Sequence, residues 1–238
     1  MVRLGIAFVL AGIFGSGAEF FLRSYLNNVA ELDTVGLYNS GFVLTMTYAS
    51  MVFSSMEADY FPRLSGVGRL GEELNRTVSR QIEVSLLIIS PMLVLFMVVL
   101  PIMLPLLFSH KFLPMMGMMR FATLAMFFRS INLPMEYIAL SRGDSRSYML
   151  LEAAYYVMFV VMAILGWQWG GLTGTGVALL ACTVANFMMV LTYVRWKYGY
   201  WLSKEVLIYA LIQIPLAIMA CYFTLKLTGV VYWLAGGL

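Results

Sequence analysis

Eight ionisable residues stand inside or at the rims of long apolar stretches: Glu19, Arg23, Glu57, Asp59, Glu83, Arg129, Glu136 and Glu152. A charge in such a stretch is costly, and those that persist usually pair or face a bundle interior or a water-filled path. Glu19 and Arg23 are four residues apart, so on a helix they share a face and are placed to pair. Arg129 and Glu136 are seven apart, two helical turns, and also share a face. We expect them to line a hydrated cavity. Glu19, Arg23, Glu57 and Asp59 suit equally well an interfacial position from which their side chains snorkel to water. Glu83 and Glu152 lie near the starts of apolar stretches and are expected at the interface. This is the equipment of ion or anion binding. For catalysis the chain offers little: its one histidine, His110, stands in a loop beside Lys111, and no serine or cysteine has a base nearby in sequence. Cys182 and Cys221 lack metal-ligand spacing, and the glycines around Gly170 lack the order and strand context of a nucleotide loop. No enzyme, cofactor or metal is expected.

The elements that position these groups are helices in a membrane. Hydrophobic residues make up 62% and charged residues 11% of the 238, with a mean hydropathy of +0.87. Soluble domains carry about 25% charged residues. A run of about 20 apolar residues matches the hydrocarbon thickness of a bilayer. Seven such stretches are read, over residues 4–25, 35–58, 82–108, 112–140, 148–167, 172–194 and 204–225. The fold class expected is all-α integral membrane protein. The tail from Gly229 to Leu238 is apolar but too short to cross. The formal net charge of +3 is small and suggests no nucleic acid partner.

Charge placement orients the chain. With Arg3 and the N-terminus in the cytoplasm, that side also holds Arg63, Arg69, Arg76, Arg80, Arg142, Arg146, Arg195, Lys197 and Lys204. The other side holds Arg23, Lys111, Arg120 and Lys226, a split of ten against four. The positive-inside rule selects this orientation. Pro91, Pro101, Pro105, Pro134 and Pro215 fall inside apolar stretches and predict bends. Gly166, Gly170 and Gly174 allow close helix approach, while Gly170 and Gly171 equally suit a turn. Met115, Met116, Met118 and Met119 read as adaptable packing.

Four short segments are more specific: Asp33–Tyr38, Ala58–Ser65, Phe108–Pro114 and Gly171–Ala178. In this order and spacing they resemble the O-antigen and polysaccharide flippases of the multidrug/oligosaccharidyl-lipid/polysaccharide exporter superfamily, over about residues 4–201. The likeness is to the C-terminal half of such a transporter. It implies a second six-helix lobe over residues 1–201 and an extra C-terminal helix with an apolar stub over residues 202–238, the first lobe being absent. A fragment is favoured over a half-transporter that pairs with a separate lobe or with itself.

That resemblance implies a flippase moving an undecaprenyl-diphosphate-linked oligosaccharide across the bacterial inner membrane, for assembly of O-antigen or another surface polysaccharide. Arg23 and Arg129 are the in-span candidates to meet the diphosphate. The lipid tail would stay among membrane lipids. With no ATP motif, coupling would run through a proton or sodium ion, and Glu19 or Glu136 is the carboxylate to bind it. Asp59, Pro62 and Arg63 would form a cytoplasmic gate or a topological anchor. The alternatives are a drug or cation antiporter of the same superfamily, a membrane-embedded enzyme of polysaccharide synthesis such as a polymerase or acyltransferase, and a non-transporting scaffold.

Overall fold

The computed structural model describes residues 2–226, and within them the chain is all helix and connecting turn. The order is α1 (Val2–Val29), α2 (Leu32–Gly66), α3 (Glu72–Leu107), a short 3-10 helix (His110–Met115), α4 (Met116–Ser141), α5 (Ser145–Tyr198) and α6 (Lys204–Lys226). The apolar stub at Gly229–Leu238 lies outside the described residues.

Residues 148–167 and 172–194 are both parts of α5. That helix leaves helical geometry at Gly170 (φ −143°, ψ 21°) and Gly171 (φ 55°, ψ −137°). The second conformation is one that a side chain rarely adopts. The chain doubles back there, and the facing backbones of Gly166 and Gly174 approach so closely that a Cβ on either would strike the other's backbone. The two expectations for this glycine group therefore hold together: Gly170 and Gly171 turn the chain, while Gly166 and Gly174 let the two arms touch. Seven helical rods result. Of the helices, α3, α5 and the 204–224 part of α6 are long and apolar enough to cross a membrane.

Two boundaries differ from the sequence reading. The Ala58–Ser65 segment is the last part of α2, which runs through Pro62 to Gly66. Helix α3 begins at Glu72, ten residues before the apolar stretch. Its first turns are amphipathic: Leu74, Val78 and Ile82 are fully buried, while Glu72, Glu73, Arg76 and Arg80 are exposed. A search for continuous apolar sequence passes over such a segment, because only one face of it is apolar. The prolines inside α3, α4 and α6 are accommodated within continuous helices.

Helix α4 is the hub. It packs against α2, α3, both the 3-10 helix and α6, and most extensively α5, whose arms also hold α1. Close approach between α4 and α5 depends on small residues. A Cβ on Gly176 would meet the Met118 carbonyl oxygen at 2.5 Å, and one on Gly117 would meet Thr173 Oγ1 at 2.7 Å.

The loops meet at the two ends. The Arg142 guanidinium donates to the carbonyls of Val67 (2.9 Å), Gly68 and Arg69 (3.4 Å each), tying the α4–α5 turn to the α2–α3 loop. Tyr200 and Ser79 share a 3.3 Å hydrogen bond. The basic loops are thus gathered at one end of the bundle. At the other end Gln168 donates to the Tyr25 hydroxyl at 3.4 Å.

At the basic end, a polar clamp closes the α5 hairpin. Asp144 caps the first arm by accepting from the Ser147 amide at 3.2 Å. The same carboxylate pairs with Lys197 at 2.5 Å and accepts from the Tyr198 hydroxyl at 2.9 Å. Partial burial disfavours the Asp144 charge, but the hydrogen bonds from Lys197, Ser147 and Tyr198 outweigh it and hold the carboxyl below the usual range. A carboxyl depressed on folding contributes stability above its unfolded pKa of about 3.9, and that contribution is lost as pH falls toward the folded value. Asp144→Asn should therefore lower the melting temperature of the detergent-solubilised protein at neutral pH. The difference from the unsubstituted protein should shrink as the pH is taken below about 4, which thermal melts followed by tryptophan fluorescence would read. Gly174→Leu should destabilise by at least about 1–3 kcal/mol through overpacking against Gly166. Gly170→Ala, which meets nothing within 4 Å, is the control with little effect in the same melts.

Candidate functional site

Two apolar clusters are stacked along the bundle. One, at the basic end, includes Ala11, Tyr60, Leu64, Ile82, Leu86, Ile138, Leu151 and Val190. The other includes Ala18, Phe53, Leu93, Leu100, Phe127, Phe159, Leu179 and Cys182. Where they meet, each helix contributes polar or small residues. Helix α1 brings Gly15 and Glu19, α2 brings Ser54 and Glu57, and α3 brings Ser85 and Ser90. Helix α4 brings Arg129, Asn132 and Glu136, the arms of α5 bring Glu152, Thr183 and Asn186, and α6 brings Gln213. Ser90 donates to Gln213 across α3 and α6 at 2.5 Å. Five of the eight scattered charges, Glu19, Glu57, Arg129, Glu136 and Glu152, thus fall in this middle region of the bundle.

A cavity of about 350 Å³ opens on this layer, with Glu19, Glu57, Arg129, Tyr137, Tyr155 and Tyr156 among its walls and Ser50 and Ser54 on its α2 side. Arg129 stands near the midpoint of α4, roughly 18 Å from either end at 1.5 Å per residue. Its guanidinium lies 5.1 Å from the centre of the Tyr155 ring. Cation–π contact of this kind is worth about 0.5–2 kcal/mol and does not replace hydrogen bonds. Arg129 Nη1 is buried and has no hydrogen-bond partner. Among the described residues Arg129 forms no ion pair, although Glu136 and Glu152 both act on it electrostatically. Here is a guanidinium with donors to spare on the wall of a cavity.

The other expected residues are placed as follows. Glu19 lines the cavity and pairs with Arg23 at 3.1 Å, as their spacing predicts, and Arg23 stays outside the lining. Glu136 is 4% exposed and does not line the cavity. Its Oε1 accepts from Asn186 Nδ2 at 2.9 Å, across to the second arm of α5, and its Oε2 has no partner. Arg129 and Glu136 share a side of α4, but different helices cover that side at the two levels. At the end of α2, Arg63 pairs with Asp59 at 2.6 Å and donates to Gln81 of α3 at 3.2 Å. Pro62 is exposed beside them.

Glu152 differs from its expected interfacial position. It is 7% exposed and sits within the electrostatic reach of Arg129, Glu136 and Tyr148. Its helix explains why. Tyr148, Glu152, Tyr155 and Phe159 follow at helical spacing, so one face of the first arm carries three rings and the carboxylate inward. That spacing was present in the sequence as a signal, and nearness to the start of an apolar stretch concealed it. Tyr156 also went unselected; it rests against α1 because residue 15 is glycine, where a Cβ would lie 2.7 Å from the Tyr156 hydroxyl. Asn132 donates to the Thr183 carbonyl at 3.3 Å, forming a second polar rung beside Glu136–Asn186.

The arrangement suits binding of a polar or anionic group. Among the described residues no three His, Cys, Asp or Glu side chains are grouped to hold a metal. If the cavity is a water-filled path, a cysteine introduced at Ser54 should react with a membrane-impermeant thiol reagent. The native Cys182 and Cys221, both buried, should not react. Mass spectrometry of the labelled protein would show which thiols carry the adduct.

Comparison with known proteins gives a match to a family model. Residues 1–117 fit the family model described as polysaccharide biosynthesis protein. Three of the four resemblance-bearing segments fall inside the match, and Gly171–Ala178 falls beyond it. No curated protein and no solved structure shows significant similarity to the chain. The match supports a role in polysaccharide biosynthesis or export, and on it the chain resembles the polysaccharide flippases.

Proposed function

We propose that this chain is one lobe of a flippase, seven spans with the N-terminus in the cytoplasm, that moves an undecaprenyl-diphosphate-linked oligosaccharide across the bacterial inner membrane. The observation that carries the reading is Arg129: an arginine at mid-depth, lining a cavity, with an unpartnered guanidinium nitrogen. An arginine at the centre of a bilayer costs at least about 2.5–3.5 kcal/mol. Such a residue is best explained by a ligand that uses it, and a diphosphate matches its planar donor fork. The cavity walls are consistent with a sugar next to the phosphates. The rings of Tyr137, Tyr155 and Tyr156 offer apolar faces, and Ser50, Ser54, Glu19 and Glu57 offer hydrogen-bonding groups. The polyprenyl chain would remain among the membrane lipids.

In this reading the first lobe is supplied by a separate chain, by further sequence or by a second copy, and the cavity faces it. The chain binds and moves its substrate without breaking a bond in it, so it is not an enzyme. Coupling to a proton or sodium ion would use a carboxylate of the polar layer. Asp59 and Arg63, joined to α3 through Gln81, would anchor the cytoplasmic end of α2 or gate it.

A second reading has one observation in its favour. The cavity wall carries Glu19 and Glu57 against the single cation Arg129, a balance that would also suit a drug or cation antiporter. Substrate preference separates the two. The purified chain should bind a short-chain prenyl-diphosphoryl sugar, and Arg129→Gln should weaken that binding about ten- to a hundredfold, the worth of a charge-assisted hydrogen bond. Preferential binding of a lipophilic ammonium ion, undiminished in Arg129→Gln, would favour the antiporter. The transport step itself is read by following a fluorescent lipid-linked oligosaccharide between the leaflets of liposomes that contain the assembled transporter.

A further inference from the structure

Of the helices long and apolar enough to cross a membrane, α6 is the least buried. It packs against α3 and α4 and touches α5 little. The space left between α6 and the second arm of α5 is a groove of about 320 Å³, within the size range of ligand pockets. Phe128 and Ile131 of α4 line it, with Phe187 of the second arm of α5 and Val206, Ala210 and Ile214 of α6. All its lining residues are apolar, from Leu202 in the α5–α6 turn to Pro215. The Phe128 and Phe187 rings lie 6.4 Å apart, so α4 and α5 together close one side.

The groove has the length and the position of one lipid leaflet. From Lys204 to Pro215 α6 rises about 17 Å, at 1.5 Å per residue, and half of the hydrocarbon core is about 15 Å. The groove starts at the basic end of the bundle and stops near the middle. Cations flank its mouth. The Arg195 guanidinium lies over the Trp201 ring, 3.5 Å from its centre, and Trp201 is joined to Leu202. Lys204 opens α6 two residues further on. Among the described residues neither Arg195 nor Lys204 forms an ion pair, whereas Lys197 is already held by Asp144. Two carboxylates stand nearby. Glu205 follows Lys204, and Glu83 accepts from Ser203 at 3.5 Å on the α3 side, outside the groove lining. Trp196 and Trp201 are exposed, and rings of this type settle at headgroup depth.

A hydrocarbon chain fits an apolar groove of this length, and a phosphate fits the cations at its mouth. We propose that the groove binds an anionic phospholipid from the leaflet at the basic end. One acyl chain lies between α6 and the second arm of α5, and Arg195 and Lys204 hold the phosphate. The lipid fills the contact that protein side chains leave open and so braces α6 against α5. The occupant is a phospholipid and not the prenyl chain of a translocated substrate, because the groove and the Arg129 cavity share no lining residue. Helix α4 stands between them, with Met126 and Arg129 on the cavity and Phe128 and Ile131 on the groove. The inference is therefore independent of what binds at Arg129.

The test uses the full chain, purified in detergent and stripped of lipid. The probes are two lipids with identical chains, dioleoylphosphatidylglycerol and dioleoylphosphatidylcholine, and native mass spectrometry counts the bound lipid. The first should bind at least about tenfold more tightly than the second, and a saturating amount should raise the melting temperature. Arg195→Gln together with Lys204→Gln should bring the two affinities within about twofold of each other. Arg76→Gln together with Arg80→Gln removes as much charge from the same end of the bundle, at exposed positions of α3 outside the groove lining, and should leave the preference intact. Ala210→Trp fills the groove. It should weaken binding of the anionic lipid about tenfold and abolish the lipid's effect on melting. Should that variant melt early even without lipid, the two charge variants still decide. Equal affinity for the two lipids would overturn the proposal, as would a preference lost equally in both double variants. So would displacement of phosphatidylglycerol by a smaller amount of farnesyl phosphate, which would give the groove to a prenyl carrier.

Discussion

The structure is organised around one constraint: a guanidinium at the middle of α4 has to be kept in polar company. Arg129 cannot reach water by snorkelling, because it lies roughly 18 Å from both ends of its helix. The bundle answers by wrapping α4 in α2, α3, α5 and α6, with α1 packed against α5 and α2. The polar residues of the other helices fall at the same level. A charged residue at this position accords with the central place of α4 and with the polar residues between the two apolar clusters. It also explains why the carboxylates Glu136 and Glu152 are tolerated where neither is exposed.

Small residues make that wrapping feasible. Without a hydrophobic driving force between helices in lipid, association depends on close packing and on hydrogen bonds between helices. Both are used here at different levels. Gly166, Gly174, Gly176 and Gly117 bring backbones together at the end away from the basic loops. Hydrogen bonds hold the middle and the basic end, through Glu136–Asn186, Ser90–Gln213, Tyr60 to the Pro134 carbonyl at 2.8 Å, and the Asp144 clamp. All four link segments far apart in sequence. Helix α5 shows the division within one element: glycine packing at its turn, and an ion pair with hydrogen bonds at its open end.

The polar layer connects architecture to activity. Its residues would be an expense in a protein with only a structural role, since apolar side chains fill a membrane bundle at lower cost. A cavity bordered by tyrosines, serines, carboxylates and one under-used arginine offers both apolar ring faces and groups that bind polar or anionic ligands. The similarity of the first 117 residues to polysaccharide biosynthesis proteins is a separate observation, since all the charged residues of α4 lie beyond the matched residues.

Much of this was legible in the residues alone. Helical rods follow from the length of the apolar stretches, the Glu19–Arg23 pair from i, i+4 spacing, and the gathering of basic loops at one end from their alternation along the chain. These are local or additive properties, so one dimension suffices to read them. The amphipathic start of α3 was missed because its apolar face is interrupted in sequence and continuous only on a helix. What tertiary structure decided is which side chains share a space. Arg129 and Glu136 have the same register on α4, yet one opens on the cavity and the other turns to Asn186, because different helices cover them. Glu152 looks like an interfacial residue until the fold places it beside both. Depth and company set the chemistry of a buried charge, and these depend on how helices from distant parts of the chain cross, which no spacing within one helix can specify.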